Sequence, residues 1–227
     1  MRYDCDVQWV AHIPWELNQK NKQQDLNMLL KHVWNIIERP KQAWAAIATE
    51  DWSVSSLVLS VLAPLALISP VAGFIGTTQI GWQIGVGGAV KLTTASAMQI
   101  SAVYFGAIIV SVLVIGALIH WMSDTYGARI SYVRSVSVAT YAAVPLFVAG
   151  FFQIYPVLWI NFLFGLPALA YSVYLLYLGI PIVADISVER GFMFASAILA
   201  VALVALVGLL ASTVVMWSFG LGPAFLT

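Results

Sequence analysis

Most of this chain has almost no charge. Of its 227 residues, ten are Lys or Arg and ten are Asp or Glu, and only seven of these twenty follow Asp51. The charge-free stretches are 52–90, 92–123, 135–184 and 191–227. An apolar helix of roughly 20 residues crosses a bilayer core about 30 Å thick. Three stretches can therefore hold one span each and the 50-residue stretch can hold two. This pattern predicts an all-α, polytopic membrane protein with five transmembrane helices.

Other absences exclude whole classes of protein. A single cysteine, Cys5, allows no intramolecular disulfide and no multi-cysteine metal site. The balanced charge leaves no basic surface for nucleic acid. No carboxylate lies inside a predicted span, no serine has an evident base, and His12, His32 and His120 have no partner at metal-ligand spacing. The sequence therefore predicts no catalytic residues, no metal and no cofactor. The first apolar run begins only near Val54, so the first span is expected to act as its own insertion signal.

The lengths of the apolar runs and the distribution of positive charge predict a topology. The five spans are expected at Val54–Ile75, Met98–Met122, Val136–Ile154, Val157–Val183 and Phe192–Gly220. Proline cannot continue a helix but suits the start of the next, so Gln153–Pro156 should form a tight hairpin between spans three and four. Nine of the ten Lys and Arg residues fall on the side of the N-terminus, and only Lys91 falls on the other. By the positive-inside rule the N-terminus is expected in the cytoplasm and the C-terminus outside.

The chain before the spans has a different composition. Residues 1–25 are expected to be a mobile cytoplasmic extension, 26–52 cytoplasmic interfacial amphipathic helices, 53–220 the five-helix transmembrane domain and 221–227 a short outside tail. The apolar residues from Leu26 to Ile37 repeat at helical spacing, with Asp25 as the expected N-cap. Pro40 ends that helix and opens a second short one. The favoured interpretation is a helix lying on the inner leaflet beside the bundle, and the alternative is a helix that docks a cytoplasmic partner.

Two stretches within the transmembrane domain are polar or rich in glycine. The loop 77–96 has a Gly-rich run and one charge, so we expect it either on the outer interface or folded back among the helices. On the fourth span the small or polar residues share one stripe, with tyrosines around its cytoplasmic half. These residues are Asn161, Gly165, Ala168, Ser172 and Gly179, with Tyr171, Tyr174 and Tyr177. The favoured interpretation is helix packing, with two backbones nearly touching at Gly165; the alternative is a polar lining for a solute around Asn161, Tyr171 and Tyr174.

Several short motifs carry a resemblance to a known family. They comprise Trp34, Ile37 and Pro40 before the spans, the run from Tyr141 to Pro145, the run from Tyr174 through Tyr177 and Gly179 to Pro181, and the stretches Gly73–Trp82 and Tyr155–Trp159. In this order they resemble the Yip-domain (Ypt-interacting-protein-like) family, and in particular its small bacterial inner-membrane members. The resemblance covers about Leu29–Phe219, whereas residues 1–25 have no counterpart in the shorter bacterial members.

The resemblance implies five helices in the cell inner membrane, with the N-terminus cytoplasmic and the C-terminus outside. It supplies no catalytic residues and no cofactor. Eukaryotic members act with Rab-type GTPases and with other Yip proteins. This chain lacks the Asp-Leu-Tyr-Gly-Pro element of their cytosolic arm, so the resemblance does not imply a direct GTPase partner.

Two functional hypotheses from different classes follow. The first is a non-enzymatic membrane protein that acts through self-association or partner membrane proteins, with a role in membrane organisation or shape. The second is a small transporter or channel for an uncharged or weakly polar solute. It depends on Pro64, Pro70, Pro145 and Pro167, which could break or kink the spans, and on Asn161 with its neighbouring tyrosines.

Overall fold

The computed structural model of the protein describes residues 31–83 and 88–218. The expectations for the extension 1–25, the Asp25 cap, residues 84–87 of the Gly-rich run and the tail 221–227 lie outside the described residues.

The described chain is helical apart from short connections. In chain order the helices are α1 at 31–38, α2 at Pro40–Thr49, α3 at Val54–Ile80, α4 at Thr94–Ser123, α5 at Tyr132–Ala142, α6 at Val144–Ala149, α7 at Leu158–Ala184 and α8 at Val188–Ser218. By length and composition α3, α4, α7 and α8 can each cross a membrane. The α5–α6 pair, extended by a 3-10 turn to Ile154, passes the same test as one bent span. This confirms the all-α fold with four continuous candidate spans, or five when the bent pair counts as one.

The third span is broken rather than straight. Helices α5 and α6 meet at an angle of 41° around Ala143, and Pro145 lies in the first turn of α6. A proline has no N–H for the preceding turn, so the helix ends just before it. Pro70 and Pro167, by contrast, lie inside α3 and α7 without breaking them. Pro64 follows a π-helical turn at Val58–Leu62 within α3. Of the four prolines expected to break or kink the spans, Pro145 therefore lies at a break, whereas Pro70 and Pro167 do not end their helices, because in membranes local adjustment of the helix satisfies the freed groups.

Helix α5 forms the centre of the bundle. All of its residues from Ser135 to Ala142 are buried. The hydroxyls of Ser135, Ser137 and Thr140 each donate to the carbonyl four residues earlier, at 2.8–3.1 Å. A hydroxyl satisfied within its own helix can be buried at little cost. This explains how the least apolar of the helices in the bundle can also be its most buried.

Small residues set the closest contacts between helices. A Cβ added to Gly116 of α4 would lie 2.6 Å from Val136 of α5. On α3, Gly76 faces the carbonyl of Gln153 so closely that a side chain there has no room. The helices can approach this closely because the glycines lack side chains.

The ends of α7 and α8 that lie away from α1 and α2 are mostly exposed. Leu163 and Leu166 of α7 are 58% exposed, and Val204 and Val207 of α8 are 73% and 66% exposed. At the opposite end the two helices pack, with Phe194, Ala195 and Ile198 of α8 buried. In a membrane these exposed apolar faces meet lipid or another membrane helix.

The loop after α3 lies across the end of the bundle that is opposite α1 and α2. Trp82 pairs with Val90 in an antiparallel bridge. Gln83 bonds through its backbone to the segment before α7, accepting from the N–H of Leu158 and donating to the carbonyl of Pro156. The described parts of this loop therefore cover the α6–α7 hairpin. The turn of this hairpin lies at Gln153–Pro156, as expected.

Candidate functional site

Residues from distant parts of the chain meet where α1 and α2 dock on the bundle. We call the contact of α1 and α2 with α5 and α7 the N-terminal junction. It is made by His32, Trp44 and Glu50 on the N-terminal side and by Tyr141, Tyr171 and Gly179 on the side of the bundle.

The apolar part of the junction follows from the periodicity of α1 and α2. Ile36, Trp44 and Ile47 are almost completely buried in the main core, whereas Trp34 and Ile37 remain exposed on α1. Both interpretations of the amphipathic segment had left its apolar side for lipid or a partner. In the structure Ile36, Trp44 and Ile47 are buried by the bundle itself, and between residues 31 and 49 the large apolar side chains that face outward are Trp34 and Ile37.

Gly179 determines how closely α2 approaches α7. A Cβ at this position would lie 2.5 Å from Cε2 of Trp44 and 2.6 Å from Cζ2. Carbon atoms pack at about 3.5–4.0 Å, so any side chain at residue 179 must displace the indole ring. The indole Nε1 is buried and makes no hydrogen bond within the part of the chain that is described. Packing, and not a hydrogen bond of the indole to a described residue, therefore holds Trp44 in place.

A line of polar side chains runs from α5 to the segment after α2. The Tyr141 hydroxyl lies 3.2 Å from Nδ1 of His32, and Nε2 of His32 lies 3.2 Å from a carboxylate oxygen of Glu50. The indole N–H of Trp52 donates to the other carboxylate oxygen at 2.7 Å. Because a carboxylate only accepts, the consistent tautomer has Nε2–H donating to Glu50 and Nδ1 accepting from Tyr141.

A second hydrogen bond ties α7 to the end of α1. The Tyr171 hydroxyl donates to the carbonyl of Ile37 at 2.8 Å. Carbonyls in the last turn of a helix have no partner within the helix. The Tyr171 hydroxyl therefore supplies the hydrogen bond that the Ile37 carbonyl would otherwise lack once α1 is docked. The neighbouring Tyr174 ring lies 5.6 Å from the Tyr171 ring and is nearly half exposed.

The family-motif residues divide among three contacts. Tyr141 and Gly179 both belong to the N-terminal junction, with Pro40 opening α2 beside it. Pro145 marks the bend between α5 and α6. The hydroxyl of Tyr177 lies 2.8 Å from Ser196 Oγ, which links α7 to α8.

Asn161 and Gly165 behave differently from the rest of their stripe. The Asn161 amide donates to the carbonyls of Tyr155 and Val157 at 3.1 and 3.0 Å, so it closes the first turn of its own helix. A Cβ added to Gly165 would meet no heavy atom within 4 Å. The close approach expected at Gly165 is not made within the described chain, and the stripe makes it at Gly179 instead.

The described residues offer little material for chemistry. No group of three His, Cys, Asp or Glu side chains among them could hold a metal ion. Within residues 31–83 and 88–218 the one contact between a basic and an acidic side chain is His32 with Glu50, which is a hydrogen bond in the neutral tautomer, and Asp124 forms no ion pair with Arg129 or Arg134. Sequence reasoning missed the roles of His32 and Glu50, because they lie 18 positions apart on separate elements and no motif links them.

These features define a polytopic helical membrane protein whose N-terminal helices are docked on its bundle. Residues 34–209 match the Yip1 domain, so the chain belongs to the Yip1 domain family, as the motifs had indicated. Two similar relatives are the inner membrane protein YohC of Escherichia coli strain K12 and that of strain CFT073. Each is 37% identical over 191 residues, which is 84% of this chain and 98% of the relative. No solved structure gives a significant match. The chain is accordingly a multi-pass protein of the inner membrane.

Proposed function

We propose that this Yip1-domain protein is a non-catalytic membrane component that associates with a second copy of itself through α7. Its role would be the organisation or shape of the membrane in which it assembles. The observation that carries the proposal is the open half of the α7 stripe. Asn161, Gly165 and Ala168 are only half-buried there, and a Cβ added to Gly165 would meet no heavy atom within 4 Å.

The polar groups of the spans support a role without catalysis or transport. Asn161 is satisfied by the start of its own helix, and Tyr177 is paired with Ser196. A catalytic or transport site requires convergent polar groups with free hydrogen-bonding capacity. Of the side chains that the second hypothesis relied on for a solute path, Asn161 and Tyr171 make hydrogen bonds within the protein, whereas the contact described for Tyr174 is with the Tyr171 ring.

The two halves of the stripe support self-association at its outer end. The half that contains Ser172 and Gly179 is buried against the rest of the chain. Gly165 and Ala168 are only half-buried, and Gly165 faces open space. Membrane helices associate through small residues because their backbones can approach closely. A pair of α7 helices related by a two-fold axis along the membrane normal would bring Gly165 against its own counterpart.

Disulfide crosslinking in native membranes tests this arrangement. In a Cys5→Ser background, Ala168→Cys places a thiol on the stripe and Leu166→Cys places one on the opposite face of α7. We expect a dimer band on mild oxidation for the first variant and little for the second. Gly165→Leu added to Ala168→Cys should abolish the band, because a branched side chain would separate the two backbones.

Equal crosslinking at residues 166 and 168 would indicate random collision and would contradict the proposal. A band from Ala168→Cys that persists with Gly165→Leu would show that the two backbones do not meet at Gly165, and it would contradict the proposed contact. Mass photometry of protein extracted with its surrounding lipid provides an independent reading, and a strictly monomeric mass would count against self-association altogether.

A further inference from the structure

An apolar groove lies between α3 and α4, on the half of the bundle that carries the loop 81–93. Its volume is about 330 Å³, and its walls include Pro70, Val71 and Phe74 of α3 with Met98, Ala102 and Phe105 of α4. Ser101 is the one polar residue in the wall. The small Ala102 leaves a depression between the larger side chains. Such a surface suits an unbranched hydrocarbon chain and offers almost nothing to a polar solute.

Lys91 lies beyond the end of this groove, where the chain returns beside α3. The N–H of Leu92 donates to the carbonyl of Thr77 at 3.2 Å, and Thr77 follows Phe74 by less than one helical turn, about 4.5 Å of rise. Lys91 therefore lies just beyond the end of the groove wall. Its side-chain stem runs beside Gly81, where an added Cβ would lie 3.2 Å from Cγ of Lys91.

Lys91 has no charged partner among residues 31–83 and 88–218. The Asp and Glu residues that follow Asp51 are Asp124, Asp185 and Glu189. They lie at the far end of α4, between α7 and α8, and in the first turn of α8, respectively. Helix α4 alone separates Asp124 from this end by about 45 Å. The exposed ammonium makes no ion pair or hydrogen bond with any described residue, so it is open to an anionic group of another molecule.

We propose that the groove holds one acyl chain of an anionic glycerophospholipid whose phosphate group lies at Lys91 in the same leaflet. A lipid tail gains little by exchanging other tails for this apolar wall, so preference among lipids has to come from the headgroup. A single Lys near an anionic headgroup gives about a fivefold preference, which corresponds to about 1 kcal/mol. A second copy of the chain fits less well, because a two-fold contact here would bring the two Lys91 ammonium groups together.

Native mass spectrometry of the delipidated, full-length protein tests this site. The protein would be titrated with phosphatidylglycerol and with phosphatidylcholine of identical acyl chains. We expect about fivefold tighter binding of phosphatidylglycerol to the first site, with the preference kept in Lys91→Arg and lost in Lys91→Gln. Ala102→Leu fills the depression, so it should weaken the binding of both lipids by a similar factor. Val103→Leu, at a position 71% exposed and outside the groove, serves as the size control and should change nothing.

Each part of the proposal has a result that would overturn it. Equal affinity for the two lipids, or a preference that survives Lys91→Gln, would remove Lys91 as the headgroup contact. Unchanged affinity in Ala102→Leu would remove the groove as the seat of the chain. If Ala102→Leu instead shifts the mass distribution between monomer and dimer, the groove is a contact between copies and not a lipid site. A thermal melt of each variant confirms that it is folded before these results are compared.

Discussion

The contact between Gly179 and Trp44 gives the sharpest test of the docked N-terminal helices. We compare Gly179→Ala with Gly165→Ala, which is the same substitution in the same helix. In a detergent that keeps the protein monomeric, the new methyl group at Gly165 meets open space. There only the higher helix propensity of alanine acts, and it should stabilise the protein by about 1 kcal/mol. At Gly179 the methyl group would lie 2.5 Å from the Trp44 ring, and overpacking of this kind costs about 1–3 kcal/mol.

The free energies of unfolding of the two variants should therefore differ by about 1–3 kcal/mol, with Gly179→Ala the less stable. For a chain of this size each kcal/mol shifts the melting temperature by about 2–4 °C. A thermal melt of the purified protein in detergent thus measures the difference directly.

A second substitution identifies the group that causes the clash. The atoms nearest to residue 179 belong to the six-membered part of the indole, and Trp44→Phe removes that bulk together with a buried N–H that has no partner among the described residues. In the Trp44→Phe background the gap between the two alanine variants should fall by at least half, since contacting residues do not act additively. Equal melting temperatures for Gly179→Ala and Gly165→Ala, or a gap that Trp44→Phe leaves unchanged, would refute the reasoning.

Two further predictions concern the N-terminal junction and the topology. Tyr141→Phe removes the hydroxyl that bonds to His32, and it should lower the free energy of unfolding by about 1 kcal/mol, whereas Tyr155→Phe, at an exposed ring, should leave it unchanged in the same denaturation assay. A reporter that is active only outside the cytoplasm should be active when fused after Gly88 and silent when fused after Arg129, because the positive charge lies on the side of the N-terminus.

Each of these has a clear contrary outcome. Equal stability losses for the two tyrosine variants would show that the bond to His32 contributes nothing. Reporter activity after Arg129, with silence after Gly88, would invert the topology and place Lys91 in the cytoplasm.

The sequence alone determined the class of the protein and the approximate positions of its spans. A bilayer demands runs of about 20 apolar residues with every backbone group bonded internally, so hydrophobicity along one dimension is enough to find them. The start of the first span at Val54 followed from this, and the hairpin at Gln153–Pro156 followed from the proline that cannot continue a helix. The family motifs could be recognised from the sequence because each lies within a few consecutive positions.

Tertiary structure decided which residues meet. His32 lies 109 positions from Tyr141, and no periodicity in the sequence indicates that α1 will contact α5 at these two residues. The stripe on α7 was visible as a pattern, yet only the docking of α2 showed that Gly179 makes the tight contact and that Gly165 does not. The bend at Ala143 was one of several that the prolines allowed, because neighbouring groups decide whether a proline breaks a membrane helix. Hydrophobicity therefore assigns a residue to a span, whereas its contacts depend on the three-dimensional arrangement of all the others.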